Sequence, residues 1–287
     1  LWVLLVNGIA TVLVPGVMQS YTAPVFSIYT IAGGLLFGIG AGINGGCSFS
    51  TISRIAQGDL HVALTLPAFV LGAISVRELA QRASDATSGL YAVDFDNMSI
   101  LLLAGIFLWA LLELYRMFRS LAATGIVNSI IGKRYRLSSA AALIGVSSGF
   151  LYLFQGRWGY SSKIIDHFAG DPAPPFIGTI AFYLILALLA GAVTSALSSR
   201  QFKFSFAGNT WHRNVAGGFL MGLGAMLVPG GNGKLILHDL PHLSLQATIA
   251  YAAMVAGIAL TLLIQQRLFG RIDIVSCAGD KCTLVKS

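Results

Sequence analysis

The chain has 287 residues, of which 56% are hydrophobic and 10% charged, and its mean hydropathy is +0.78. An average soluble domain carries roughly 25% charged residues, so this composition excludes a soluble protein and describes an integral membrane protein. The net charge of +7 does not indicate a nucleic-acid partner, because the basic residues cluster between apolar runs and act as topology signals there.

No long polar stretch separates the apolar runs, so the expected fold class is all-α: one polytopic membrane helix bundle over 1–287, with no separate catalytic domain. Leu1 to Met18 is apolar but short for a span, and the chain opens on leucine, which reads as the remainder of a longer chain. The first broken unit, Tyr29 to Gly58, contains GGLLFGIGAGINGGCSFSTISR from Gly33 to Arg54. Here a lipid-compatible helix is interrupted at Gly45-Gly46-Cys47. Irregular backbone survives at bilayer depth only where protein buries it or where it lines a cavity, so this break is expected to face the interior.

Cys47 precedes Ser48, Ser50 and Thr51 at the start of a short helix. A helix N-terminus presents unpaired N–H groups and a partial positive charge, which suits an anion and activates a thiol. The competing reading is a small residue at a close backbone approach. Arg54, two turns on, either draws anions inward or snorkels to the surface before Gln57-Gly58-Asp59.

A continuous span is expected at Leu60 to Leu79. The Gln81 to Asn97 link, with Arg82 against Asp85, Asp94 and Asp96, is placed outside. Met98 to Phe118 is the next span, with Glu113 interfacial near its inner end. Arg116, Arg119, Lys133, Arg134 and Arg136 then place the following connection inside.

The second broken unit, Ser138 to Phe168, centres on QGRWGYSS. Arg157, Tyr160, Ser161 and Lys163 combine cations and hydroxyls that line an anion path or, with Trp158, anchor the chain at the interface. Pro175 to Leu197 is a span, and Arg200, Lys203 and Arg213 mark a second internal link.

The third broken unit, Val215 to Leu240, contains Gly230, Gly231, Asn232, Gly233 and Lys234, which form an anion-binding backbone nest or a plain loop. Leu245 to Leu268 is the last span. His238, Asp239 and His242 resemble a metal cluster, but Pro241 interrupts the helical spacing that ligands need, so neither a metal nor a cofactor is expected. GxxxxGK[ST], HExxH and GxSxG do not occur. Cys277 and Cys282, four residues apart in a polar tail, fit neither CxxC nor a zinc half-site and read as ordinary thiols.

GGLLFGIGAGINGGCSF from Gly33 and GGFLMGLGAMLVPGGNG from Gly217 align without a gap at an offset of 184 residues, with identities at Gly33, Gly34, Leu36, Gly38, Gly40, Ala41 and Gly46. Two related halves, about 29–118 and 138–268, and a short cytoplasmic tail 269–287 follow. With both basic links inside, the related units run antiparallel if they cross the membrane, as in inverted-repeat transporters.

GxGxxxxGGC followed by RxxxG, with the later GRWGYSS and GGFLMGLGA, resembles the YeeE/YedE or sulphur transport family, whose characterised members include thiosulfate permeases. The resemblance covers most of Gly33 to Gly257. It implies a multi-span importer of the bacterial cytoplasmic (inner) membrane, with cysteines at a constriction that handle a sulfur-containing anion, and Cys47 matches the first of these. Where the family often repeats GGC, this chain has Gly231 opposite Cys47 and Asn232 opposite Ser48. The expected function is therefore a permease for a small sulfur-containing anion and not an enzyme. Cys47, Gly45, Gly46, Ser48, Gly230, Gly231 and Asn232 are assigned to the substrate, and Arg54, Arg157, Tyr160, Ser161, Lys163 and Lys234 to its path. The alternative is a membrane sulfurtransferase that carries a persulfide on Cys47 and hands sulfur to a cytosolic sulfur-acceptor protein.

Overall fold

The computed structural model describes residues 2–13, 22–23, 27–85, 91–92, 98–124, 137–155, 158–169, 175–200, 202–205, 211–228, 231–240, 244–269, 274–278 and 281–285. The protein is an all-α helical bundle. Helix α1 is Trp2–Leu13, α2 Ile28–Asn44, α3 Ser48–Ala56, α4 Thr65–Ser75, α5 Arg77–Asp85 and α6 Met98–Thr124. Next come α7 Leu137–Gln155, α8 Tyr160–Ala169, α9 Pro175–Ser198, α10 Trp211–Leu227, α11 Gly231–Lys234 and α12 Leu245–Phe269. A 3-10 helix at Leu60–Leu64 leads into α4, and a π-helix at Leu235–Asp239 continues α11. Two small antiparallel ribbons complete the chain, Thr22–Ala23 with Tyr91–Ala92 and Ile274–Ala278 with Lys281–Val285, the second placing Cys277 opposite Cys282.

Among the described residues, Ile28–Ala56, Ile180–Ser198 and Leu245–Leu268 are long and apolar enough to cross a membrane. Trp211–Leu227 with Gly231–Asp239, bent by 51° at the break, makes a fourth when taken as one span. Leu108, Leu111, Leu112, Phe182, Tyr183 and Leu263 are exposed on the outer helices, as lipid-facing side chains are. The expected single helix from Leu60 to Leu79 is instead divided. Ser75 Oγ donates to the Gly72 carbonyl at 2.8 Å, competing with the helix ladder, and the chain turns at Val76 before the polar α5.

Glycine determines how the centre is built. Gly34, Gly38 and Gly42 recur every fourth residue on one face of α2 and admit the α12 backbone at Ala250, Met254 and Thr261. A second face, Gly33 and Gly40, meets α10 at Gly224 and Gly217. In lipid, helices gain little from burying apolar surface, so close backbone approach at small residues carries the association.

These contacts are reciprocal. Gly33 faces Gly224, and Gly40 faces Gly217, where 217 and 224 are the repeat equivalents of 33 and 40. Early residues of α2 therefore meet late residues of α10, and the two run antiparallel. The next helices obey the same relation: Gly72 of α4 meets Phe219 and Leu223, while Gly257 of α12 meets their equivalents Leu35 and Ile39. Polar pins repeat it too. Gln246 donates to Thr30 Oγ1 at 3.3 Å, and Asn214, the equivalent of Thr30, donates to the His61 carbonyl at 3.3 Å. Each copy thus packs its post-break helix on the first helix of the other, the isologous arrangement of a two-fold axis.

Candidate functional site

At the first break, Gly45 ends α2 in the left-handed region at φ 76°, which a side chain rarely adopts. Asn44, the last residue of α2 and 4% exposed, ties the break together. Its Nδ2 donates to the Gly46 carbonyl at 3.0 Å and to Thr51 Oγ1 at 3.2 Å, while its Oδ1 accepts from Thr65 Oγ1 at 3.0 Å. Asn44→Ala is expected to cost about 2–3 kcal/mol, because Thr65 loses its buried partner. A lowered midpoint in detergent thermal unfolding checks this.

Cys47 is the N-cap of α3, extended at φ −76° and ψ −178°, and its side chain makes no cap bond. Its Sγ lies 3.8 Å from Ser50 Oγ. The break is not sealed: Gly45 is exposed, Gly46 and Cys47 half-buried and Ser48 buried. Next to Cys47 a small cavity opens, with room for little more than a water molecule. Its walls include Ser48 and Thr51 of α3, Thr65 and Phe69 of α4, Tyr160 and Ser161 of α8, and Met221 of α10. Ser48 Oγ, Tyr160 Oη and Ser161 Oγ are buried in it without a hydrogen-bond partner among the described residues. Tyr160, at 2% exposure, is beside Ser48 and Cys47, with its ring edge-on to Phe49 at 5.7 Å.

Three helix starts converge here. Those of α3 and α8 supply the hydroxyls. A Cβ added to Gly231, which has φ 62°, would stand 3.6 Å from Ser161 Oγ, bringing the start of α11 and its π continuation to the same point. Asn232 is buried there. Unpaired N–H groups and helix dipoles favour negative charge at such a junction.

The remaining expected residues are placed differently. Arg54 donates to the Asn44 carbonyl at 3.2 Å and pairs with Asp59 at 3.5 Å, so it braces the break and is not among the cavity's walls. Lys163 pairs with Asp166 at 3.6 Å, and Lys234 packs its stem against Gly159. Arg157, Gly230 and His242 lie outside the described residues. Sequence reasoning missed Asn44 and Thr65. Asparagine ahead of a glycine pair was the available signal for Asn44; Thr65 had none.

The fold and site define a membrane protein built from broken helices around an anion-suited cavity. The chain belongs to the sulphur transport family, whose model matches residues 1–260. It is similar to the thiosulfate transporter TsuA of Escherichia coli (strain K12), 23% identical over 275 residues that cover 84% of this chain and 76% of the relative. It is thus a multi-pass membrane protein of a transporter family.

Proposed function

We propose that the protein imports a small sulfur-containing anion, thiosulfate first, across the bacterial cytoplasmic membrane, with its C-terminal tail in the cytoplasm. The observation that carries this reading is the set of three unpartnered hydroxyls buried where three helices begin, one residue from Cys47. Thiosulfate has charged oxygens for the hydroxyl and N–H donors and one soft sulfur for a thiol. A neutral S–H donor and helix dipoles hold such a dianion without the grip of a full cation, and so permit release. The reciprocal packing of α2, α4, α10 and α12 supports two related halves, about 29–118 and 138–268, that move against each other to open the cavity to either side.

Uptake of labelled thiosulfate by vesicles containing the chain tests the reading, and no uptake of thiosulfate or of other small sulfur anions overturns it. The sulfurtransferase alternative, with its cytosolic sulfur acceptor, differs by a lasting mass increase on Cys47 after exposure to substrate.

Tyr160→Phe separates binding from folding. Removing a buried hydroxyl that has no protein partner relieves a desolvation cost of about 1–3 kcal/mol. The variant is therefore expected to melt no lower than the parent, while its apparent substrate constant rises about tenfold. Thermal unfolding and uptake kinetics on one preparation measure both.

A further inference from the structure

His238 and Asp239 close the π-helix of the third broken unit and are 1% and 5% exposed. Ionisable groups inside a membrane bundle are expensive and mark function, and π segments recur at functional sites. Neither residue is among the cavity's walls.

His238 Nε2 lies 2.9 Å from the Trp158 carbonyl oxygen, and its ring packs on Tyr152 with centroids 5.3 Å apart. Trp158 stands two residues before Tyr160. His238 therefore bonds the turn that positions the two α8 hydroxyls in the cavity. With Nε2–H donating to that carbonyl, Nδ1 is the atom that takes up and releases a proton. The ionisable groups around it are Tyr152 from α7 and Lys234 from α11. Helix α12, which also packs on the π-helix, carries Tyr251 and no charged residue before Arg267, and α8 contributes Lys163 paired with Asp166.

The geometry points to His238, with Asp239 beside it in the chain, as a proton-carrying site coupled to the cavity, so that anion and proton enter together. This rests on the permease reading. A positive charge behind the start of α8 favours an anion in front of it, and linkage requires that the bound anion raise the proton affinity of His238 by the same factor. A proton taken from the outer water and released inside offsets part of the anion's negative charge, which the interior-negative potential opposes. No bond other than that to the proton is made or broken.

The test uses the full chain in proteoliposomes, labelled thiosulfate and a pH dye outside. Wild-type uptake is expected to rise several-fold under an inward proton gradient, with alkalinisation of the medium when thiosulfate is added. His238→Gln keeps an N–H for the Trp158 carbonyl but cannot titrate. It is expected to keep thiosulfate exchange between the two sides and to lose both the gradient response and the alkalinisation, and Asp239→Asn should weaken both. Wild-type uptake indifferent to the gradient, with no pH change, overturns the coupling and leaves the permease reading standing. Full proton responses in His238→Gln also overturn it. Loss of exchange together with uptake in that variant overturns it too, by making His238 structural. No thiosulfate movement in the wild type overturns both readings.

Discussion

Cys47→Ser is expected to lower thiosulfate uptake about tenfold or more, the loss corresponding to one soft contact of at least about 1.4 kcal/mol. The substitution is clean because Cys47 occupies an N-cap whose side chain makes no cap bond. Serine is a preferred N-cap and can accept from the N–H groups of the first turn, so α3 gains stability as the path loses its sulfur. Protein yield and thermal midpoint should hold or rise while flux falls, a combination that misfolding cannot produce. Cys277→Ser and Cys282→Ser serve as controls and should leave uptake near the wild-type rate. Wild-type flux in Cys47→Ser would reduce the cysteine to a packing residue.

The second large effect concerns the glycine crossings. Gly222→Leu and Gly38→Leu are expected to eliminate folded protein, because a Cβ at Gly222 runs into the Phe69 carbonyl and one at Gly38 into the Met254 carbonyl. Both obstacles are backbone of a packed helix and cannot swing aside as a side chain would, so the cost exceeds the usual overpacking range of about 1–3 kcal/mol. Gly105→Leu and Gly191→Leu place the same bulk where nothing lies within 4 Å and should be tolerated. Size-exclusion profiles in detergent compare the four. A monodisperse, transporting Gly222→Leu protein would show that α10 and α4 do not pack through this face.

Much of the centre was legible because glycine reports close approach directly. The repeated order of glycines from Gly33 and Gly217 showed which helices are equivalent, and the basic links indicated that they run antiparallel. Tyr160 and Ser161 were legible as polar residues at a turn. What sequence cannot display is neighbours. Arg54 and Lys163 read as free cations until Asp59 and Asp166 are found beside them. Thr65 looks like an ordinary helix residue until Asn44, 21 positions earlier, accepts its hydroxyl proton. The division at Val76 was hidden inside an apolar run, and hydropathy windows average over such a turn.

The crossing of α2 with α10 joins segments 184 residues apart in sequence. A ribosome adds about 5–20 residues per second, so α2 waits in the bilayer for roughly 10–40 seconds before α10 has been made, and longer for α12. Throughout that interval both of its bare backbone stripes lack the helices that cover them. A nascent chain stopped before Trp211 holds the first break and its cysteine, but neither the Met221 wall nor the third helix start. Assembly of the conduit is therefore the final event of biosynthesis, and the membrane must hold the first half unpartnered until then.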